Sequence, residues 1–225
     1  MCYNLPTNFE VTFIQKGDRV MCGRYTLFTD REIQDLEDII AKIDDDAKKE
    51  KMKTGEIFPS DTVPVLLCDR DEIEPRLLTW GFPGFKHKQL IINARVETAG
   101  EKPMFRSALQ SRRCVIPSTG FYEWDREKRK YQFNMPGSGM LYMAGVYSRF
   151  EQEERFVILT RDANASVSRV HHRMPVVLEQ MHIRDWLADR DKARDIMSEV
   201  GPELVAKPWV NESLPEQCEM EWYVL

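Results

Sequence analysis

Apolar positions in this chain fall mostly into short runs divided by turn-forming and charged residues, and only a few stretches carry helical spacing. Ile33, Leu36, Ile39 and Ile40 lie on one helical face behind Thr29-Asp30-Arg31-Glu32, which has capping-box spacing, so a helix is predicted over 30–43. The charged stretch DDDAKKEKMKTGE that follows reads as a solvated loop. Strands are predicted at Val63–Cys68, Arg76–Trp80, Cys114–Pro117, Tyr131–Met135, Met140–Val146, Phe156–Thr160 and Pro175–Leu178. A second capping box, Thr98-x-x-Glu101, predicts a short helix through Met104, Phe105, Ala108 and Leu109. Ile183–Leu187 and Lys192–Val200 read as helices. Many short strands with few helices between them point to an antiparallel α+β architecture rather than a doubly wound parallel sheet.

The 225 residues show no internal repeat, low-complexity tract or long linker, so one domain is expected. No stretch approaches the ~20 apolar residues of a membrane span. Residues 1–20 lack a basic start and an uninterrupted apolar run, which argues against a secretory signal and for a cytosolic protein. The five cysteines (Cys2, Cys22, Cys68, Cys114, Cys218) are odd in number and form no CxxC pair, so neither a disulfide framework nor a zinc knuckle is indicated. A net charge of −5 does not advertise nucleic-acid binding, but it conceals a polarity. Lys86 to Arg113 holds seven basic residues against two acidic ones, while Asp185 to the end holds ten acidic against four basic. One basic face could meet a polyanion while the acidic remainder keeps the protein in solution.

Four segments carry candidate chemistry. Met21-Cys22-Gly23 looks like a gene start, and removal of Met21 would leave an N-terminal cysteine bearing an amine and a thiol on adjacent carbons; a small buried cysteine at a strand end is the plainer alternative. Asn93, Arg95 and Glu97 would share one face of an extended segment, suited either to a phosphate or carboxylate ligand or to a structural Arg95–Glu97 network. Glu123 sits among Phe121, Tyr122 and Trp124, where desolvation would raise its pKa toward proton transfer; an aromatic core strand is the alternative. His171 and His172 are adjacent, and since adjacent side chains diverge, one acid–base histidine beside a surface histidine is more economical than a metal site.

In order along the chain, MCGRYTL (21–27), the Pro59 segment, Trp80-Gly81, IINARVET (91–98), RRCVIPSTGFYEW (112–124) and HHRMPVVL (171–178) resemble the SRAP family, named for SOS response-associated peptidase, whose members process abasic sites in DNA. The resemblance implies a single α+β domain over 21–225 with a curved, barrel-like, mainly antiparallel sheet that grips single-stranded DNA. Residues 1–20 match nothing in the family and are expected to be an extension outside the mature protein. By matching motifs, Cys22 is the covalent residue, with Asn93, Glu123 and His171 as its catalytic companions. Arg24 and Arg95 contact phosphates, Pro59, Trp80 and Trp124 pack on or stack against DNA, and Thr160 lines the site.

Two departures are visible. His172 stands where the family commonly has aspartate, which removes the expected partner orienting His171. The loop after Trp80 reads Gly81-Phe82-Pro83-Gly84-Phe85 without a second tryptophan, so Phe82 or Phe85 would carry that stacking surface. The expected activity is covalent capture of abasic sites as a thiazolidine, with reversal, lyase and autoproteolytic activity, in a monomer needing no cofactor or metal and located in the cytoplasm or on the nucleoid. The competing readings are an N-terminal-nucleophile cysteine hydrolase and a non-covalent single-strand-binding module.

Overall fold

In the structure, a computed structural model describing residues 23–29, 34–43, 49–84, 89–137 and 139–209, the apolar runs become strands. In chain order these are β1 (Tyr25–Leu27), β2 (Gly55–Ile57), β3 (Thr62–Asp69), β4 (Glu72–Trp80), β5 (Phe82–Pro83), β6 (Leu90–Ile91), β7 (Asn93–Arg95), β8 (Arg113–Ser118), β9 (Gly120–Trp124), β10 (Lys130–Asn134), β11 (Leu141–Phe150), β12 (Glu153–Asp162), β13 (Arg173–Pro175), β14 (Val177–Leu178) and β15 (Val205–Pro208). Strands β12, β4, β3, β8 and β11 pair in that order, and β11 pairs back onto β12, closing a ring. Closure leaves none of these five strands as an open sheet edge. The β12–β4 and β12–β7 pairings are parallel; the other pairings around the ring are antiparallel.

Burial explains the composition of these strands. Leu141–Val146 of β11 are all buried, consistent with an apolar run covered on both faces. Gly145 is required there, because a Cβ would fall 2.5 Å from Ile116 Cδ1 and 2.7 Å from the Val157 carbonyl oxygen. A second, five-stranded sheet runs β15-β10-β9-β1-β2. The chain passes into it from the ring at Thr119-Gly120, where Gly120 has a φ of 147° and no room for a Cβ against the Phe133 carbonyl oxygen, 2.8 Å away.

The helices are α1 (Gln34–Ala41), α2 (Val96–Ala99), α3 (Pro103–Ser111), α4 (Ile183–Ala188) and α5 (Arg190–Ser198). Within the 30–43 expectation, α1 is observed from Gln34; Asp30 to Ile33 lie outside the described residues. The second capping box is corrected: Thr98 lies inside the short α2, and the following helix starts at Pro103, whose missing N–H suits a first helical position. Helix α5 starts two residues earlier than the periodicity suggests, because the Asp189 carboxylate accepts from the Asp191 and Lys192 amides. Arg113, counted in the basic run, is buried and donates to the Leu109, Gln110, Trp186 and Leu187 carbonyls, tying α3 to α4. It is therefore unavailable to a phosphate, and the basic run loses this member as a polyanion contact. The fold class is α+β, as the strand pattern implies.

Candidate active site

His171 lies where β7, β12 and β13 meet. Parallel pairing of β7 with β12 sets Arg95 opposite Thr160, and β13 continues the sheet with Pro175 opposite Thr160. Thr160 is wholly buried, and its Oγ1 has no hydrogen-bond partner among the described residues. His171 is buried, with Nδ1 3.2 Å from both the amide nitrogen and the carbonyl oxygen of Arg173. With the Arg173 amide donating to Nδ1, a neutral imidazole carries its proton on Nε2.

Arg173 supplies the orienting contact that His172 does not. Its guanidinium donates from Nη1 to Glu97 Oε1 (2.5 Å) and Asp162 Oδ1 (2.6 Å), and from Nη2 to Glu97 Oε2 (2.8 Å) and the Thr160 carbonyl (2.8 Å). The bidentate bond to Arg173 holds the Glu97 carboxyl below its ordinary pKa against the opposing effect of burial, and the more distant Arg95 charge adds to it. The expected alternation of Asn93, Arg95 and Glu97 is thus corrected: β7 ends at Arg95, Glu97 belongs to α2, and its partner is Arg173. The two imidazoles do not diverge either. Residues preceding β13 turn rather than extend, and the rings lie 4.5 Å apart with His172 exposed. Among the described residues no group of three or more His, Cys, Asp and Glu could hold a metal ion.

A second group of the motif residues lies on the five-stranded sheet. Strand β1 runs antiparallel to β9 with Tyr25 opposite Phe121 and Thr26 opposite Gly120, and the ladder continues through the Tyr122 amide donating to the Arg24 carbonyl (3.0 Å). Carried one residue further, this register would put Gly23 across from Glu123, which is buried. Tyr122 and Trp124 do not account for that burial, because neighbours in a strand face the other side. On the β10 side, the residue across from Glu123 is Tyr131. Trp124 is half-buried, and the Arg24 guanidinium lies 5.4 Å from its ring and 4.7 Å from that of Phe58. Pro59 is half-buried in a turn fixed by the Asp61 carboxylate accepting from the Phe58 amide (2.8 Å) and by the Ser60 amide donating to the Trp80 carbonyl (2.9 Å).

Trp80 is a correction. It is wholly buried, so its ring cannot stack on a base. It packs instead 5.2 Å from the Tyr25 ring and donates from Nε1 to the Ile92 carbonyl (3.0 Å), one residue before Asn93. Trp80 therefore touches both β1 of the second sheet and the residue before β7. Phe82 is likewise buried, against Phe105 and Phe150, and offers no stacking surface. Phe85, Lys86, Lys88 and Cys22 lie outside the described residues, as do Cys2, Cys218 and the 1–20 segment. Of the described thiols, Cys68 and Cys114 are both free, and burial pushes the Cys114 thiol well above its ordinary pKa, which makes it a poor nucleophile. The structure thus brings Thr160 and His171 against Arg173, sets Arg95 opposite Thr160 with Asn93 on the same strand β7, and places Arg24, Glu123 and Trp124 on the second sheet.

A closed barrel joined to a second sheet defines a class of α+β protein with solved examples. A Bacteroides thetaiotaomicron protein matches with a TM-score of 0.66 at 23% identity, covering 85% of this chain and 93% of that one. A Bordetella bronchiseptica protein matches with a TM-score of 0.67 at 22% identity, covering 84% and 100%. The sequence profile of the family described as SOS response associated peptidase (SRAP) matches residues 21–212, and the chain belongs to this family. It is 32% identical over 194 residues to the abasic site processing protein YoaM of Bacillus subtilis, covering 79% of this chain and 83% of that protein. It is also 32% identical over 184 residues to the abasic site processing protein YedK of Escherichia coli, covering 74% and 79%. No helix among the described residues is long and apolar enough to cross a membrane.

Proposed function

We propose that the protein captures abasic sites in single-stranded DNA through Cys22, which stands at the N-terminus of the functional polypeptide, residues 1–20 being absent from it. The observation that carries this reading is the course of β1, whose ladder with β9, carried one residue further, would put Gly23, the residue after Cys22, across from the buried Glu123. The names of the relatives YoaM and YedK, abasic site processing proteins, support the choice of substrate.

An abasic sugar opens to an aldehyde. The α-amine of Cys22 adds to its carbonyl carbon and water leaves, giving an imine. The thiol sulfur then adds to the imine carbon while its proton passes to the nitrogen, closing a five-membered thiazolidine. The ring closure is intramolecular, which is why a 1,2-aminothiol retains the aldehyde where a lone amine does not. Glu123 moves protons during carbinolamine dehydration and its reverse. His171 protonates the sugar oxygen from Nε2 as the ring opens, and in the imine it assists β-elimination, the lyase branch. Asn93 holds the reacting oxygen, Thr160 lines the floor beside Arg95, Arg24 and Arg95 take flanking phosphates, and Pro59 and Trp124 pack on neighbouring nucleotides. Removal of the segment before Cys22 frees the amine, and the chain's own thiol can carry that cleavage. In this reading the protein works as a monomer in the cytoplasm, on the nucleoid when bound to DNA.

The test is incubation with an abasic oligonucleotide followed by a denaturing gel and intact mass spectrometry. The expected result is a denaturation-resistant adduct on a polypeptide beginning at Cys22, and its loss in Cys22→Ser. A crosslinking form that retains residues 1–20 sinks the thiazolidine. Binding without an adduct leaves a non-covalent module, and glutamine turnover without an adduct leaves a cysteine hydrolase.

A further inference from the structure

The five-stranded sheet presents one side chain from the same end of each successive strand, and their chemistry alternates. In sheet order these are Phe58 after β2, Arg24 before β1, Trp124 ending β9, Lys130 starting β10 and Trp209 after β15. The Arg24 guanidinium lies 4.7 Å from the Phe58 ring and 5.4 Å from the Trp124 ring. The Lys130 ammonium lies 5.8 Å from the Trp124 ring and 4.9 Å from the Trp209 ring. Trp209 is fixed in this row by its amide donating to the Lys130 carbonyl (2.8 Å) and by an edge contact with Tyr122, whose ring lies 3.6 Å from Lys130 Nζ. Glu56 accepts from both cations, at 3.3 Å from Arg24 and 2.9 Å from Lys130.

A row of this kind is more than surface adhesive. Phe58 and Trp209 at its ends are each 40% exposed, large rings that the fold leaves facing water. Lys130 is drawn out of water beneath the rings, and this burial pulls its pKa down despite Glu56. At the ordinary strand spacing the row spans about 19 Å. Cations alternating with open ring faces complement a single nucleic-acid strand, which offers phosphates and unpaired bases; a duplex hides the base faces. Trp124, at the centre, follows Glu123 in β9 and faces the other side of that strand.

We propose that this row is a binding track for the nucleotides flanking the captured one, with Lys130 and Arg24 on phosphates and Trp209 and Phe58 under base faces. The track rests on the reading above that the ligand is single-stranded DNA, and it extends the site to Phe58, Lys130 and Trp209. Glu56 holds the two cations in position while DNA is absent and competes with phosphate for them when it arrives.

The experiment uses an intact oligothymidylate of about fifteen nucleotides, with no abasic site, against a duplex of the same length, so that binding is scored apart from capture. Trp209→Ala is expected to weaken single-strand binding roughly tenfold and to leave duplex binding unchanged. Trp209→Phe should retain most of the affinity. Lys130→Met should flatten the salt dependence by about 0.7 in slope, and Glu56→Gln should tighten binding. Equal single-strand affinity in Trp209→Ala and the parent, or equal losses on single strand and duplex, overturns the track. If Trp209→Ala does not fold, Lys130→Met decides the matter, and an unchanged affinity and slope there would overturn the track. A protein that binds oligothymidylate through Trp209 but forms no abasic adduct sinks the capture reading and keeps the track; adduct formation with unaltered Trp209→Ala binding does the reverse.

Discussion

Arg173 and Lys130 are both cations drawn largely out of water, one beside each group of motif residues, and they are held by contrasting means. The Arg173 side chain is 6% exposed and donates to Glu97, Asp162 and the Thr160 carbonyl, all directional contacts and most of them charge-assisted. Lys130 has one carboxylate partner and otherwise rests against the faces of Tyr122, Trp124 and Trp209, contacts that tolerate sliding. The first arrangement fixes the imidazole next to it through a backbone amide. The second can be given up and remade. On the reading proposed above, chemistry that needs one geometry and binding that must accept any sequence would rest on these different kinds of contact.

The contrast can be broken most forcefully at Glu97. Glu97→Ala leaves the buried Arg173 with Asp162, which is itself 88% exposed, and should cost about 2 kcal/mol in urea denaturation. That is below the usual cost of breaking a buried pair because Glu97 is 45% exposed. Capture of an abasic oligonucleotide should fall with it even where the variant remains folded; a fully active variant would free His171 from dependence on the clamp. Lys130→Met, by comparison, should change the urea midpoint by less than about 1 kcal/mol. A loss as large as that of Glu97→Ala would mean the two cations are held alike.

Acid sharpens the same distinction. The folded pKa of Glu97 lies below its ordinary value of 4.5, so the stability it supplies is complete above that value and is lost as pH falls through the lower, folded pKa. Urea midpoints of the parent should therefore drop below about pH 4.5 more steeply than those of Glu97→Gln. Parallel curves would show that the pair contributes nothing there. Arg95→Ala should have a smaller effect, a loss of about 0.7 in the salt slope of oligothymidylate binding with near-parental adduct formation at saturating abasic DNA. The least effect is expected from His172→Asp, since residue 172 is exposed. A carboxylate beside the His171 ring should move the pH midpoint of the capture rate upward by a fraction of a unit, and a downward movement would refute the assignment of His171 as proton donor.

The strands of the barrel were legible because both requirements for reading them were met: short apolar runs and turn residues between them. Phe156–Thr160 lies within β12 and Met140–Val146 starts within a residue of β11, while both strands run further into the hairpin that joins them, where the sequence turns polar. The helix after β7 was misplaced because Thr98 and Glu101 satisfy a local capping pattern that Pro103 overrides. Motif residues identified the candidate site, but their directions followed from strand alternation, which puts Tyr122 and Trp124 on the face away from Glu123. Trp80 was expected at the DNA surface because the matching motif implies it, and only the ring closure around β4 shows it to be interior. Arg173 was visible only as a letter within HHRMP. Its role depends on α2 turning Glu97 toward β13, a relation between segments far apart in sequence. Lys130 and Trp209 carried no motif; the row they complete exists only once β10 and β15 pair.

The parallel seam has a consequence for how the protein comes into being. β12 pairs in parallel with the end of β4 and with β7, joining Phe156 to Trp80 and Thr160 to Arg95 across long stretches of intervening chain. Such joins incur a large loop-closure cost before they return any contact energy, so they form late and slowly. The hairpin of β3 and β4 and that of β11 and β12 are local and can assemble first. Until the seam closes, Arg95 and Thr160 are not neighbours, and Glu97 is not yet beside Arg173. On the reading proposed above, a chain still emerging from the ribosome lacks the Arg95–Thr160 and Glu97–Arg173 neighbours of the site, and capture is expected only once the barrel has shut.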